Sequence, residues 1–322
     1  MLLRPYTAPA AHQLRYFHHG KTSRRFQLSK TSMIGLRGKA DVASLRRSDR
    51  KVAIVTGASS GIGEALSRDL VKQGWQVAMA DIHTNEKLLQ ELGDNASFHK
   101  MDVSSYDEQA ETFQDVWNQY GRIDALLANA GVPDRGSIYI LNHRGSDKVP
   151  PKPNMVCTDI SLKGLVYGTQ LAIHFMRKNE TPGGNIIATS SNAAVNPHEA
   201  SPEYCGAKAG MIGFVRGASR VLKIKDNIRI NVVLPGVIRT PLVPAGMIAA
   251  VHPECITQLS TVVSAFNKFL DDESLNGEAL ECSAENVVPL VYGKSTMSPV
   301  TVWDPLFKMM HHEDSGLPEA VA

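Results

Sequence analysis

Long apolar runs are missing from this chain of 322 residues. None approaches the roughly 20 residues that cross a bilayer, so no membrane span is expected. Cysteine is scarce as well. Cys157, Cys205, Cys255 and Cys282 lie 48, 50 and 27 residues apart, spacings that fit no metal-ligand pair, redox motif or disulfide framework. Reduced thiols in a reducing compartment are expected. His311 and His312 stand beside Glu313 and Asp314, but this close to the C terminus they read as a polar tail, and no metal is expected. Acids are nearly absent from residues 1–50, where only Asp41 and Asp49 face eleven Lys or Arg. The overall charge of +2 therefore divides into +9 for that segment and −7 for the rest. A mildly acidic body argues against nucleic acid as a partner.

What is present is the composition of a globular protein, 43% hydrophobic and 20% charged. Residues 1–50, rich in Arg, Ser and His, read as a segment apart from the fold. Their composition is that of a mitochondrial transit peptide. A basic extension without structure and a stretch preceding a start at Met33 remain open. The compartment follows from this choice: cytoplasmic for the body alone, mitochondrial matrix if the segment targets.

Order is expected from Lys51. Val52-Ala53-Ile54-Val55 is a β-branched run of the kind buried on both faces of a sheet. It enters a glycine-rich turn and then a helical pattern in Ala65, Leu66, Leu70 and Val71. Further strands are read at 77–80, 97–100, 125–128, 185–189 and 228–233, separated by helix-length patterns. That alternation predicts a single doubly wound α/β domain with a Rossmann-type parallel sheet and helices on both faces. Its span is set at 51–285, with a C-terminal tail at 286–322. Residues 132–155, with four prolines, read as a long loop, and 237–275 as a substrate loop beyond a strand end.

The turn carries the first functional argument. Gly57 permits a tight bend, Gly61 lets backbone approach a pyrophosphate, and Gly63 allows close helix–strand packing. The helix that follows presents free N–H groups to phosphate. Asp81 ends the second strand 18 residues after Gly63, where an acid holds a ribose 2′-hydroxyl and repels a 2′-phosphate. NAD is therefore expected as cofactor, over NADP.

Tyr204 and Lys208 are four apart in a helical stretch and so share a face. A lysine ammonium beside a phenol is expected to lower the phenol pKa from about 10, which suits Tyr204 to acid–base work on an alcohol or carbonyl. Ser191 lies thirteen residues earlier, just past a strand, and can hydrogen-bond the substrate oxygen.

Together these residues resemble the short-chain dehydrogenase/reductase family over roughly residues 50–285. Thr56–Gly63 is similar to its T-G-x-x-x-G-x-G turn, which brings Ser59, Ser60 and Ile62 to the cofactor. Asp102, followed by Val103, resembles the acid that holds the adenine ring, and Ile82 follows Asp81 on the same wall. Asn129-Ala130-Gly131 resembles the motif that steadies the sheet and lines the cofactor ribose. Pro235-Gly236-Val237 and Thr240 resemble the segment beside the nicotinamide carboxamide. The resemblance implies that Ser191, Tyr204 and Lys208 form the catalytic triad, with Lys208 also binding the nicotinamide ribose. It further implies a homodimer or homotetramer through helices near 162–176 and 204–222. One position departs from the pattern: Ser161 stands where the family places a catalytic Asn that holds a water of the proton relay. The loop after Gly131, the Pro202–Lys208 context and Asn276–Leu280 look like fungal relatives of NAD-dependent 15-hydroxyprostaglandin dehydrogenase.

Three functions compete on this basis. The first is NAD-dependent oxidation of a secondary alcohol on an apolar or lipid-like substrate, suggested by Leu242, Val243, Met247 and Ile248. The second is the reverse chemistry, a ketoreductase of a secondary-metabolite pathway. The third is a low-turnover nucleotide-binding scaffold, to which Ser161 lends some weight.

Overall fold

A computed structural model describes residues 48–291. The basic segment before them and the tail after them, His311 and His312 included, lie outside the described residues. Eight strands form one sheet. β1 (Val52–Thr56), β2 (Gln76–Asp81), β3 (Ala96–Lys100), β4 (Ala125–Ala128), β5 (Gly184–Thr189), β6 (Ile228–Pro235) and β7 (Ala279–Ser283) all run parallel. β8 (Asn286–Pro289) pairs antiparallel with β7 and closes the edge. The order is β3-β2-β1-β4-β5-β6-β7-β8, so the chain reverses its winding between β1 and β4. A crevice opens at the carboxyl ends of strands at such a switch point.

All five β1 residues are buried, and they alternate between two cores. Val52 and Ile54 face one layer, Ala53 and Val55 the other. The first layer takes Phe113 and Val116 of α3 (Tyr106–Tyr120). It also takes Phe175, from a helix running through α4 (Val156–Thr158), a π-helical turn (Asp159–Lys163) and α5 (Gly164–Met176). Met211 and Val215 of α6 (Pro202–Asp226) complete it. The second layer takes Leu66 and Leu70 of α1 (Gly61–Lys72) and Leu88 of α2 (Glu86–Leu92). This is how a parallel sheet hides both faces, and why its strands read as apolar runs.

Two parts differ from the sequence expectation. The stretch 237–275 is not simply a loop, for it contains α7 (Ala245–Ala250) and the 13-residue α8 (Leu259–Asp271). Val262, Phe266 and Phe269 of α8 are fully buried in the second core. Its Thr261-Val262-Val263 run is β-branched and helix-poor, and packing of the apolar face overrides that preference. The sheet also continues past residue 285 through β8, a short edge strand ending in Pro289. Proline is tolerated there because an edge strand leaves one side of its ladder unpaired. Residues 132–155 form a loop as read, with one short turn at Leu141–His143.

Candidate active site

The glycine turn joins β1 to α1 over the switch point. Gly57 (φ 64°) and Gly61 (φ 54°) adopt left-handed backbone that side chains disfavour. Gly63 is constrained by space instead: a Cβ there would stand 2.0 Å from the Gly57 carbonyl oxygen. Ser60 precedes α1 but makes no side-chain cap, which leaves first-turn N–H groups for an anion. A glycine cradle leading into an uncapped helix start suits a nucleotide phosphate.

Asp81 sits at the end of β2, and its two carboxylate oxygens accept from the N–H groups of Ser59 and His83, each at 3.0 Å. The acid is thereby held at the mouth of the turn. Asp102, past β3, accepts from the N–H and hydroxyl of Ser104, both at 2.8 Å. Asn129 links three strand ends. Its N–H donates to Thr56 Oγ1 at 3.0 Å, its Nδ2 to the Thr56 carbonyl at 3.1 Å, and its Oδ1 accepts from Thr189 Oγ1 at 3.1 Å.

Tyr204 and Lys208 lie in the first two turns of α6. Lys208 is buried; its Nζ donates to the Thr189 carbonyl at 2.7 Å and lies 5.5 Å from the Tyr204 ring centre. Burial pulls Lys208 down to about 8. Burial also pushes the Tyr204 phenol above its ordinary value, with the Ser191 hydroxyl pulling the other way. This reverses the direction expected from the pair alone. Both groups leave water, and the cost of charging the phenol there exceeds what its neighbours return. Ser190 and Ser191 both border the cleft and differ in what their hydroxyls do. Ser190 Oγ is buried and donates to the Lys208 carbonyl at 2.8 Å, so it braces α6, while the Ser191 hydroxyl is the one that reaches the Tyr204 phenol.

A cleft of about 490 Å³ joins these parts. Its wall includes Gly57, Ser60, Gly61, Ile62, Asp81, Ile82, Asp102, Val103, Asn129, Ala130 and Gly131. Ser191, Tyr204, Lys208, Pro235, Gly236 and Thr240 complete the predicted set on that wall. Ser59, Gly63 and Val237 stand just behind it. Ser59 braces Asp81, Gly63 packs under Gly57, and the Val237 carbonyl accepts from Thr257 N–H at 2.8 Å. Ser161 is also off the wall. It is buried in the π-helical turn behind Gly131, where its Oγ meets no nitrogen or oxygen partner and the Cys157 thiol, one turn earlier, is its hydrogen-bonding neighbour. The adjoining space of about 10 Å³ has room for about one water.

The structure adds wall residues that motif reading missed, among them Val132, Arg135, Ile160 and Ile238. Leu242 and Val243 line the cleft, whereas Met247 and Ile248 do not. Asp134 was missed too. Its carboxylate accepts from the N–H groups of Tyr204 at 2.6 Å and Glu203 at 3.2 Å, across some 70 residues of chain that no local pattern spans.

The short chain dehydrogenase family model matches residues 51–246. A relative named short-chain dehydrogenase/reductase prx6, from Penicillium rubens, is 48% identical over 84% of this chain and 97% of its own. The 15-hydroxyprostaglandin dehydrogenase [NAD(+)] of Rattus norvegicus is 30% identical over 72% of this chain and 84% of its own. Among solved structures, a short-chain type dehydrogenase/reductase from Mycobacterium marinum superposes with a TM-score of 0.65 at 24% identity, covering 74% of this chain and 95% of that one. The 3-ketoacyl-(acyl-carrier-protein) reductase from Brucella melitensis, complexed with NADH, gives 0.64 at 21%, covering 74% and 97%. Family model and relatives agree with the fold and the spread of motifs: the chain belongs to the short-chain dehydrogenase/reductase family of oxidoreductases.

Proposed function

We propose that the protein interconverts a secondary alcohol and a ketone with NAD, on an apolar or lipid-like substrate. The observation that carries this reading is the meeting of Ser191, Tyr204 and Lys208 on one cleft with the glycine turn. NAD, when bound, supplies the hydride acceptor. Tyr204 takes the hydroxyl proton as the carbinol C–H bond breaks, and Ser191 steadies the substrate oxygen as its charge changes. Lys208 holds positive charge beside the phenol, which favours the phenolate once the proton has left. Asp81 supports NAD over NADP because its carboxylate occupies the position that a 2′-phosphate would approach. The name of the rat relative, 15-hydroxyprostaglandin dehydrogenase [NAD(+)], points the same way. Leu242, Val243 and Ile160 on the wall support the apolar part.

One observation favours the reverse direction. Burial disfavours the phenolate, and the protonated phenol is the form that donates to a carbonyl oxygen. Ketone reduction is therefore the second reading, with the same residues in the same places.

A panel of hydroxylated lipids and secondary alcohols, followed by NADH production, tests the first reading. Ketones with NADH consumption test the second. Tyr204→Phe should keep NAD affinity and lose turnover by a factor of ~10² to 10⁴, the usual worth of a positioned acid–base group. Turnover at the wild-type rate would remove Tyr204 from the mechanism and leave a nucleotide-binding scaffold or a different base.

A further inference from the structure

Tyr204 is the third residue of a helix, in the turn where helices fray and where N–H groups lack partners inside the helix. A residue there needs an outside brace if its phenol is to stay in place. The usual brace is absent, since Ser201 stands at the cap position but its side chain makes no capping bond. Pro202 opens the helix and brings no N–H. Cys205 N–H already reaches the Ser201 carbonyl at 3.0 Å. That leaves two first-turn donors, on Glu203 and Tyr204.

Both are taken by one carboxylate from elsewhere in the chain. Asp134 Oδ1 accepts from Tyr204 N–H at 2.6 Å, and Oδ2 accepts from Glu203 N–H at 3.2 Å. Asp134 follows Gly131 by three residues, on the loop that leaves β4 at the cleft. The bracing does not stop there. Glu203 Oε1 accepts from the N–H of Thr158 at 2.9 Å. Thr158 ends α4 and leads directly into the π-helical turn that carries Ser161. Two acids therefore connect the β4 loop, the start of α6 and the entry to the Ser161 turn.

We infer that Asp134 is the positioning residue for Tyr204: it supplies from the β4 loop the cap that Ser201 does not, and Glu203 passes the same constraint to the turn holding Ser161. The inference rests on Tyr204 as the acid–base group. The cap is charge-assisted, and such bonds are shorter and stronger than neutral ones, as the 2.6 Å separation illustrates. Displacing a reacting group by about 1 Å can cost ~10²-fold in rate, so a loosened first turn should be felt in kcat.

Asp134→Ala and Asp134→Asn test this on the full chain with NAD. Asparagine keeps one acceptor oxygen for the Tyr204 amide, so it should stay within about threefold of wild type, while alanine falls by ~10-fold or more in kcat. NAD affinity should be unchanged in both, because Asp134 is not on the cleft wall. Amide hydrogen exchange at Tyr204 provides a readout apart from turnover: it should quicken in Asp134→Ala and stay slow in Asp134→Asn. A wild-type kcat in Asp134→Ala overturns the inference. So does an Asp134→Asn variant as slow as Asp134→Ala while its Tyr204 amide exchange stays slow, since the rate would then follow the charge with the cap still in place. Unchanged amide exchange in Asp134→Ala overturns it as well, whatever the rate. If instead Tyr204→Phe keeps full turnover, the assignment of Tyr204 falls, and the exchange measurement still decides whether Asp134 is the cap.

Discussion

Lys208 Nζ lies 5.5 Å from the centre of the Tyr204 ring and spends a hydrogen bond on the Thr189 carbonyl at 2.7 Å. The lysine is buried at the cleft wall, and burial lowers it from 10.5 to about 8. Between those values the unfolded chain holds a proton that the folded chain has released. The folded state therefore gains stability from this group as pH rises through that window, and carries the full penalty below it. Lys208→Met should abolish the gain. The difference in unfolding free energy between wild type and Lys208→Met should rise by up to ~1.4 kcal/mol per pH unit above about pH 8. Urea denaturation of both proteins from pH 7 to 9.5 measures it, and a flat difference would mean that Lys208 is not desolvated. Taking the difference removes the opposing trend from Cys282, which burial pushes up to about 12; Cys157, at about 11, feels the Lys208 charge and moves with the substitution, so Cys157→Ala is carried in both proteins.

Ser191 is the neighbour that pulls the Tyr204 phenol down against burial. Ser191→Ala removes that pull, so the phenol should ionise at higher pH. In the alcohol-oxidising direction the rise in rate with pH should then move to more alkaline values. If Ser191 steadies the substrate oxygen as proposed, the maximal rate should also fall by ~10²-fold. Rates across pH 6 to 10 for both proteins give the two effects separately. A profile that moves toward acid would assign the serine a different role.

The sequence exposed those parts of the site that rest on local geometry. Gly57, Gly61 and Gly63 were legible because a left-handed turn and a close approach each demand glycine, and Tyr204 and Lys208 because four residues on a helix share a face. Five of the first six parallel strands were legible as apolar runs, and β3, with Ser97, His99 and Lys100, only by its place in the alternation. The helix α8 was not, because its apolar residues count only once Val262, Phe266 and Phe269 meet the second core. Asp134 was hidden for a related reason: a cap supplied from 70 residues away leaves no pattern in either segment. The direction of the Tyr204 shift was hidden too, since spacing brings a charge near a phenol but says nothing about how much water both lose.

Asp81 offers a test of cofactor choice that does not require knowing the substrate. Its oxygens hold the amides of Ser59 and His83, and the cleft-lining Lys and Arg side chains are Lys208 and Arg135, from α6 and the β4 loop. Asp81→Ala removes the repelling charge and frees two N–H groups for a phosphate. NADP affinity should rise and NAD affinity fall, changing their ratio by ~10-fold or more through loss of a built-in clash. Fluorescence titration with NADH and NADPH reads both constants. An unchanged ratio would move the discrimination to another residue.

Ser161 closes the set because its surroundings argue against a simple part in catalysis. Its Oγ is buried with only the Cys157 thiol, a weak partner, to bond, and the space beside it takes about one water. A buried hydroxyl short of a strong partner costs up to ~1–3 kcal/mol, and a thiol returns little of it, so Ser161→Ala should leave stability unchanged or raise it, as read from the urea midpoint. If a water in that space carries protons away from Lys208, the same variant should slow turnover while Tm holds. Ser161→Asn restores a carbonyl acceptor and should leave activity unchanged or raise it, at a packing cost of ~1–3 kcal/mol for the larger side chain. Opposite changes in rate for the two variants place a proton path behind Gly131. Equal rates in all three proteins mean that the proton leaves by the open side of the cleft.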